Sequence, residues 1–156
     1  MADVDDPQLI ATLAVTFARR RTVAPGLFGA GTRAGTDRDI PMRLGRGPSL
    51  SAIGAYRRWA SDADNAGFPV GGMAMILGVT EHELVVFTSR FFRSRPKRPA
   101  GMIPLREIAQ MTAMRSLVSG RVVVLLANGS IVELETSRVA RARRFVDTVL
   151  AQRGPV

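Results

Sequence analysis

The chain has no cysteine, a single histidine, His82, and a single lysine, Lys97. Without cysteine there is no disulfide, no thiolate-held zinc or iron–sulfur cluster and no cysteine nucleophile. One histidine excludes a multi-histidine metal site. One lysine leaves almost no place for a Walker-A phosphate loop or Schiff-base chemistry. Long apolar runs are missing as well. The longest uncharged, mostly apolar stretch, residues 68–80, contains Pro69, Gly71 and Gly72 and falls short of the roughly 18 residues a spanning helix needs. Asp3, Asp5 and Asp6 stand where a signal peptide would carry positive charge, which predicts a cytoplasmic protein. No carboxylate pair, Ser-His-Asp order or metal-ligand spacing stands out. The expectation is therefore a protein that is not an enzyme, with no catalytic residues, no cofactor and no metal.

What is present is a basic chain of ordinary hydrophobicity. Its 156 residues are 46% hydrophobic and 22% charged, and suit one domain with a sizeable core. Twenty-two basic side chains against 13 acidic ones give a formal charge of +9. The heavy use of arginine, alanine and glycine is similar to that of high-GC bacterial genomes.

Local patterns suggest an order of elements. Residues 7–20 read as a short amphipathic helix, with Asp6 as cap, Pro7 at the first helical position and Leu9, Leu13 and Phe17 recurring every four residues. Arg19, Arg20 and Arg21 would then sit at its C-terminal end, where positive charge suits the helix dipole. Glycines and prolines break every period over 22–48, an irregular connection. A second helix is expected over 49–60, followed by a polar turn over 61–72. From Met73 the pattern becomes strands: 73–79, 84–92, 102–105, 108–114, 121–127 and 131–136. A basic, proline-bounded loop fills 93–99. The chain closes with a helix over about 138–152, capped by Thr136 or Ser137, with Gly154 as its stop.

The hairpin around Asn128-Gly129 is the strongest local signal, because that pair favours a two-residue turn. A two-residue loop would set Leu125 opposite Val132 and Val123 opposite Leu134. The other face would then carry Val122, Val124, Leu126 and Ile131 with Glu133 and Glu135. That face is too apolar to be left to water, so the N-terminal helix or a second copy of the chain is expected to cover it. The two glutamates have no evident partner in this reading.

Three stretches resemble a known family when taken in order. They are Ile76-Leu77-Gly78-Val79-Thr80-Glu81-His82-Glu83-Leu84-Val85-Val86-Phe87, the step Ile103-Pro104-Leu105-Arg106-Glu107-Ile108, and the Asn128-Gly129 hairpin leading to the helix segment Phe145 to Leu150. Their order is similar to that of pleckstrin-homology (PH)-like domains, particularly the bacterial PH-like and GRAM-like versions, over about residues 72–152. The resemblance implies an α+β, mainly β fold: an antiparallel β-barrel capped by the C-terminal helix, over 72–156. Residues 1–71 would form an N-terminal helical and irregular extension. A PH barrel has seven strands and six are evident, so the seventh is expected within 41–70. The fold alone implies little about function, since PH-like domains bind phosphoinositides, peptides or other proteins. Phosphoinositide binders carry basic residues on the first strand pair and its loop. Here that turn is Glu81-His82-Glu83, which is acidic.

The most unusual stretch is Arg90-Phe91-Phe92-Arg93-Ser94-Arg95-Pro96-Lys97-Arg98. Glu107 is the sole acid between Leu84 and Leu125, against eight basic residues. Near an anionic membrane each basic residue contributes about 1 kcal/mol of attraction, and Phe91 or Phe92 could enter the interfacial layer. The expected role is a non-catalytic binding module. Arg90, Arg93, Arg95, Lys97 and Arg98 would attract an anionic lipid surface or an acidic protein, and the two phenylalanines would anchor it. Such a module could sit peripherally at the inner membrane face. A protein-interaction or self-assembly module using Val122, Val124, Leu126 and Ile131 is the alternative, and would form a homodimer. Nucleic-acid binding through the same basic loop is the third reading. His82 reads as an exposed turn residue, Trp59 as packing for the second helix, and Met73, Met75, Met111 and Met114 as core filler. Gly29 to Ala34 fits GxGxxA by letter but follows no strand, so no dinucleotide site is expected.

Overall fold

The computed structural model describes residues 8–19, 48–89, 99–115 and 119–155, with backbone alone for 48–51. Seven strands form one antiparallel sheet: β1 (Ala11–Phe17), β2 (Ala74–Val79), β3 (Glu83–Thr88), β4 (Pro99–Pro104), β5 (Ile108–Arg115), β6 (Gly120–Leu126) and β7 (Ile131–Thr136). Helix α1 (Pro48–Ala66) lies between β1 and β2, and α2 (Val139–Arg153) follows β7. The strand order across the sheet is β4-β3-β2-β1-β7-β6-β5. Among the described residues no ladder joins β4 to β5, so the sheet is open where a closed barrel was expected.

The first strand corrects the expected N-terminal helix. A four-residue spacing of Leu9, Leu13 and Phe17 fits a helix, but four is also two strand periods. Val15 separates the two cases. In a helix it would point away from Leu13 and Phe17, whereas in a strand it joins them. Leu13, Val15 and Phe17 are all buried and their neighbours Thr12, Ala14 and Thr16 are exposed. β1 pairs along its length with β2 and, through Thr16 and Phe17, with β7. The seventh strand therefore lies at 11–17, not within 41–70, and the sheet draws on both sides of residue 71.

Helix α1 runs six residues beyond its expected end. It stops at Gly67, whose φ of 85° is a left-handed conformation that favours glycine. Gly67 N–H donates to the Asp64 carbonyl at 3.0 Å and Phe68 N–H to the Ala63 carbonyl at 2.8 Å. That is a Schellman motif, and its accompanying apolar contact is supplied by Phe68, which is fully buried. Helix α2 matches its expected span and its stop at Gly154, where φ is 78°. Its cap differs. Arg138 occupies the cap position without a side-chain bond, and the Thr136 hydroxyl donates instead to the Ala14 carbonyl at 3.1 Å.

One core unites these pieces. Alternate residues of the strands, among them Leu13, Leu77, Val86, Met111, Val124 and Leu134, join Trp59, Ala63 and Ala66 of α1 and Ala142, Phe145, Val146 and Val149 of α2. Both helices thus bury their apolar stripes against the same face of the sheet. The Trp59 indole N–H donates to the Glu133 carbonyl at 2.8 Å, just past the point where β1 parts from β7. The Phe17 ring meets Tyr56 and Trp59 with centroids 5.3 and 6.3 Å apart. Met75 and Met111 are core residues as expected, but Met73 is exposed and Met114 half-buried. A smaller cluster of Ile76, Val85 and Phe87, joined by Leu9, occupies the opposite face of β2 and β3. Gly78 leaves room for it, since a Cβ there would lie 2.7 Å from a Leu9 methyl.

Candidate binding surface

The basic segment 90–98 lies outside the described residues. Its two attachment points are described: β3 ends at Thr88 and β4 begins at Pro99, with Phe87 opposite Pro99 across the ladder. The segment therefore connects two neighbouring antiparallel strands. Ser89, its immediate predecessor, lines a shallow groove of about 450 Å³ together with Ala14, Thr16, Ser119, Glu135 and Ser137. The groove offers hydroxyls and one carboxylate. His82 is exposed in the turn after β2, at the far end of that strand from Ala74 beside the groove. No serine of the groove is thereby placed near an imidazole. Among the described residues there is no group of three side chains able to hold a metal ion. No described helix is long and apolar enough to cross a membrane.

The hairpin face offered as an alternative interface is corrected by the register. Leu126 N–H donates to the Ser130 carbonyl, and Gly129 N–H donates to the Leu126 carbonyl, both at 2.9 Å. Ala127, Asn128 and Gly129 thus form a three-residue loop, with Gly129 at a φ of 88°. Loops of this kind join a turn to a bulge and shift the pairing by one residue. Val124 stands opposite Val132, and Val122 opposite Leu134. Because the side-chain period is two, the one-residue shift changes which residues share a face. Val122, Val124 and Leu126 belong to the core with Val132 and Leu134, and only Ile131 remains on the outer face. The Asn128 side chain gives the loop a second role. Its Oδ1 accepts from Ser130 N–H and its Nδ2 donates to the Ala66 carbonyl, both at 2.9 Å, tying the hairpin to the end of α1.

The same shift supplies the missing partner for the two glutamates. Arg121 lies directly opposite Glu135 and diagonal to Glu133. One guanidinium nitrogen donates to Glu133 Oε1 at 3.2 Å and the other to Glu135 Oε1 at 3.1 Å. Arg121 and Glu133 are both buried, with side-chain exposures of 5% and 3%. Sequence reasoning missed this cluster. The signal was available, since a three-residue loop aligns Arg121 with Glu135. All buried side-chain nitrogens and oxygens among the described residues have a partner.

Two other arrangements bear on binding. The β4 edge is bracketed by Pro99 and Pro104, whereas β5 has no proline. At the start of β5, Arg153 of α2 donates from one nitrogen to the carbonyls of Ile108 and Ala109, at 3.1 and 2.7 Å. No protein-family model matches the chain, and no curated protein matches it either.

Proposed function

We propose that the chain is a non-catalytic binding module of PH-like fold, and that residues 90–98 hold it to an anionic lipid surface. The single observation that carries this reading is the composition of that segment. It puts five positive charges and two phenylalanines between the end of one strand and the start of the next. A connection of this kind between neighbouring strands runs over the surface in most folds. Basic residues draw such a segment to anionic headgroups, and phenylalanine rings add apolar contact at the boundary. Support for the PH-like reading comes from the seven-strand order and from the C-terminal helix packed over the core face. The formal charge of +9 favours any anionic partner, so lipid must be separated from general polyanion attraction.

The test is co-sedimentation with phosphatidylserine-containing and with neutral vesicles, beside a variant carrying Arg93→Ser, Arg95→Ser, Lys97→Ser and Arg98→Ser. Binding to anionic vesicles alone, lost in the variant and resistant to competition by oligonucleotide, is the expected result. Equal binding by the variant overturns the role of the segment. Full displacement by oligonucleotide turns the reading toward nucleic acid.

A further inference from the structure

We infer that the outer edge of β5 is a docking edge for an extended acidic peptide, which would add an eighth strand beside residues 110–115. This goes beyond the membrane reading and uses a different part of the molecule. It begins with the direction of the backbone groups. Leu126 bonds toward β7 through Ser130, and backbone groups of an antiparallel strand alternate sides. Leu125, Val123 and Arg121 therefore turn toward β5, where they stand opposite Gln110, Thr112 and Met114. Met111, Ala113 and Arg115 are left with N–H and C=O groups facing away from the sheet. Among the described residues no strand pairs with that side.

The protein treats its two edges differently. Proline at each end of β4 blunts that edge. Among the described residues β5 is the longest strand, with eight residues and no proline. Its first two carbonyls are taken by Arg153. At Met111 the outward N–H is satisfied by its neighbour, donating to Gln110 Oε1 at 3.1 Å. The Gln110 amide oxygen stands where a partner strand would present a carbonyl. It is a local substitute that an arriving strand can displace.

Charge selects the occupant. β5 ends in exposed Arg115, and α2, which packs beside β5, carries Arg141, Arg143, Arg144 and Arg153 against Asp147. A second copy of this basic chain would bring like charges together, whereas an acidic strand gains attraction along with main-chain hydrogen bonds.

The probe is a dye-labelled peptide of alternating glutamate and valine, followed by fluorescence anisotropy and by amide hydrogen exchange of the full chain. Binding with slowed exchange at Ala113 and Arg115 is expected. Ala113→Pro removes one outward N–H at an edge, where proline is tolerated, and should weaken binding about tenfold while leaving the thermal melt unchanged. If that variant does not fold, exchange in the unaltered protein decides, and no slowing at these amides overturns the proposal. Equal binding of a glutamate–proline peptide of the same charge also overturns it, since that peptide cannot pair as a strand. So does a dimer in sedimentation velocity that Ala113→Pro converts to monomer, because the edge would then belong to a second copy.

Discussion

The two faces of the β6–β7 hairpin solve burial in different ways. One face carries Val122, Val124, Leu126, Val132 and Leu134, all in the apolar core. The other mixes Val123, which is fully buried, Leu125 and Ile131 with Arg121, Glu133 and Glu135, and there Arg121 and Glu133 are buried as well. An apolar face gains from burial without needing specific partners. A charged face can be buried only when its charges meet, because an ion stripped of water costs several kcal/mol unless it is paired and hydrogen-bonded. The apolar face therefore tolerates small changes of shape, whereas the three charges on the other face depend on one another.

Substitutions can sharpen this contrast, and the one tryptophan, Trp59, reports most of them through urea unfolding. The largest effect is expected for Val124→Glu, which places an unpaired charge in the core and should cost about 4 kcal/mol or more. An outer-face role would instead leave unfolding unchanged and alter only association. Arg121→Ala comes next. It leaves Glu133 buried without its guanidinium and should cost about 3–5 kcal/mol, while the double change Arg121→Met with Glu133→Leu should recover most of that loss. Recovery would mark the cluster as a device of pairing, and a failure to recover would mean that the positions of Arg121 and Glu133 do not accept apolar side chains. Trp59→Phe removes the indole donor to the Glu133 carbonyl and should cost about 1–3 kcal/mol, followed by circular dichroism since the reporter is gone. Asn128→Ala breaks the bond to the Ala66 carbonyl and should cost about 1 kcal/mol. A similar loss in Gly129→Ala, from positive φ alone, would place the loop's contribution in backbone geometry as much as in that contact.

Much of the architecture was legible. Strands β2 to β7 lie close to their expected positions, because turns such as Thr80 to Glu83 and Asn128-Gly129 punctuate apolar runs clearly. Helix α2 and its glycine stop were legible for the same reason. β1 was not, since its spacing of four serves helix and strand alike. Its choice is made by two neighbours distant in sequence, β2 and β7, whose open backbone groups it satisfies. The end of α1 was missed because residues 61–66 look polar, and the Ala63 and Ala66 stripe has meaning only once the sheet is beneath it.

The site shows the same division. The basic and aromatic content of residues 90–98 is a property of the sequence and needs no fold to be seen. The Arg121 cluster was hidden by a single residue of register, because a three-residue loop and a two-residue loop share the same Asn-Gly signal. The contrast between the two sheet edges was hidden altogether, since an edge exists only after the strands are ordered. Local chemistry thus determined which segments extend, turn or coil, and what charge the chain carries. The tertiary structure decided which faces look inward, which charges meet and which edge stays open. Those outcomes depend on pairing between residues far apart in the chain, and period and propensity carry no information about a partner.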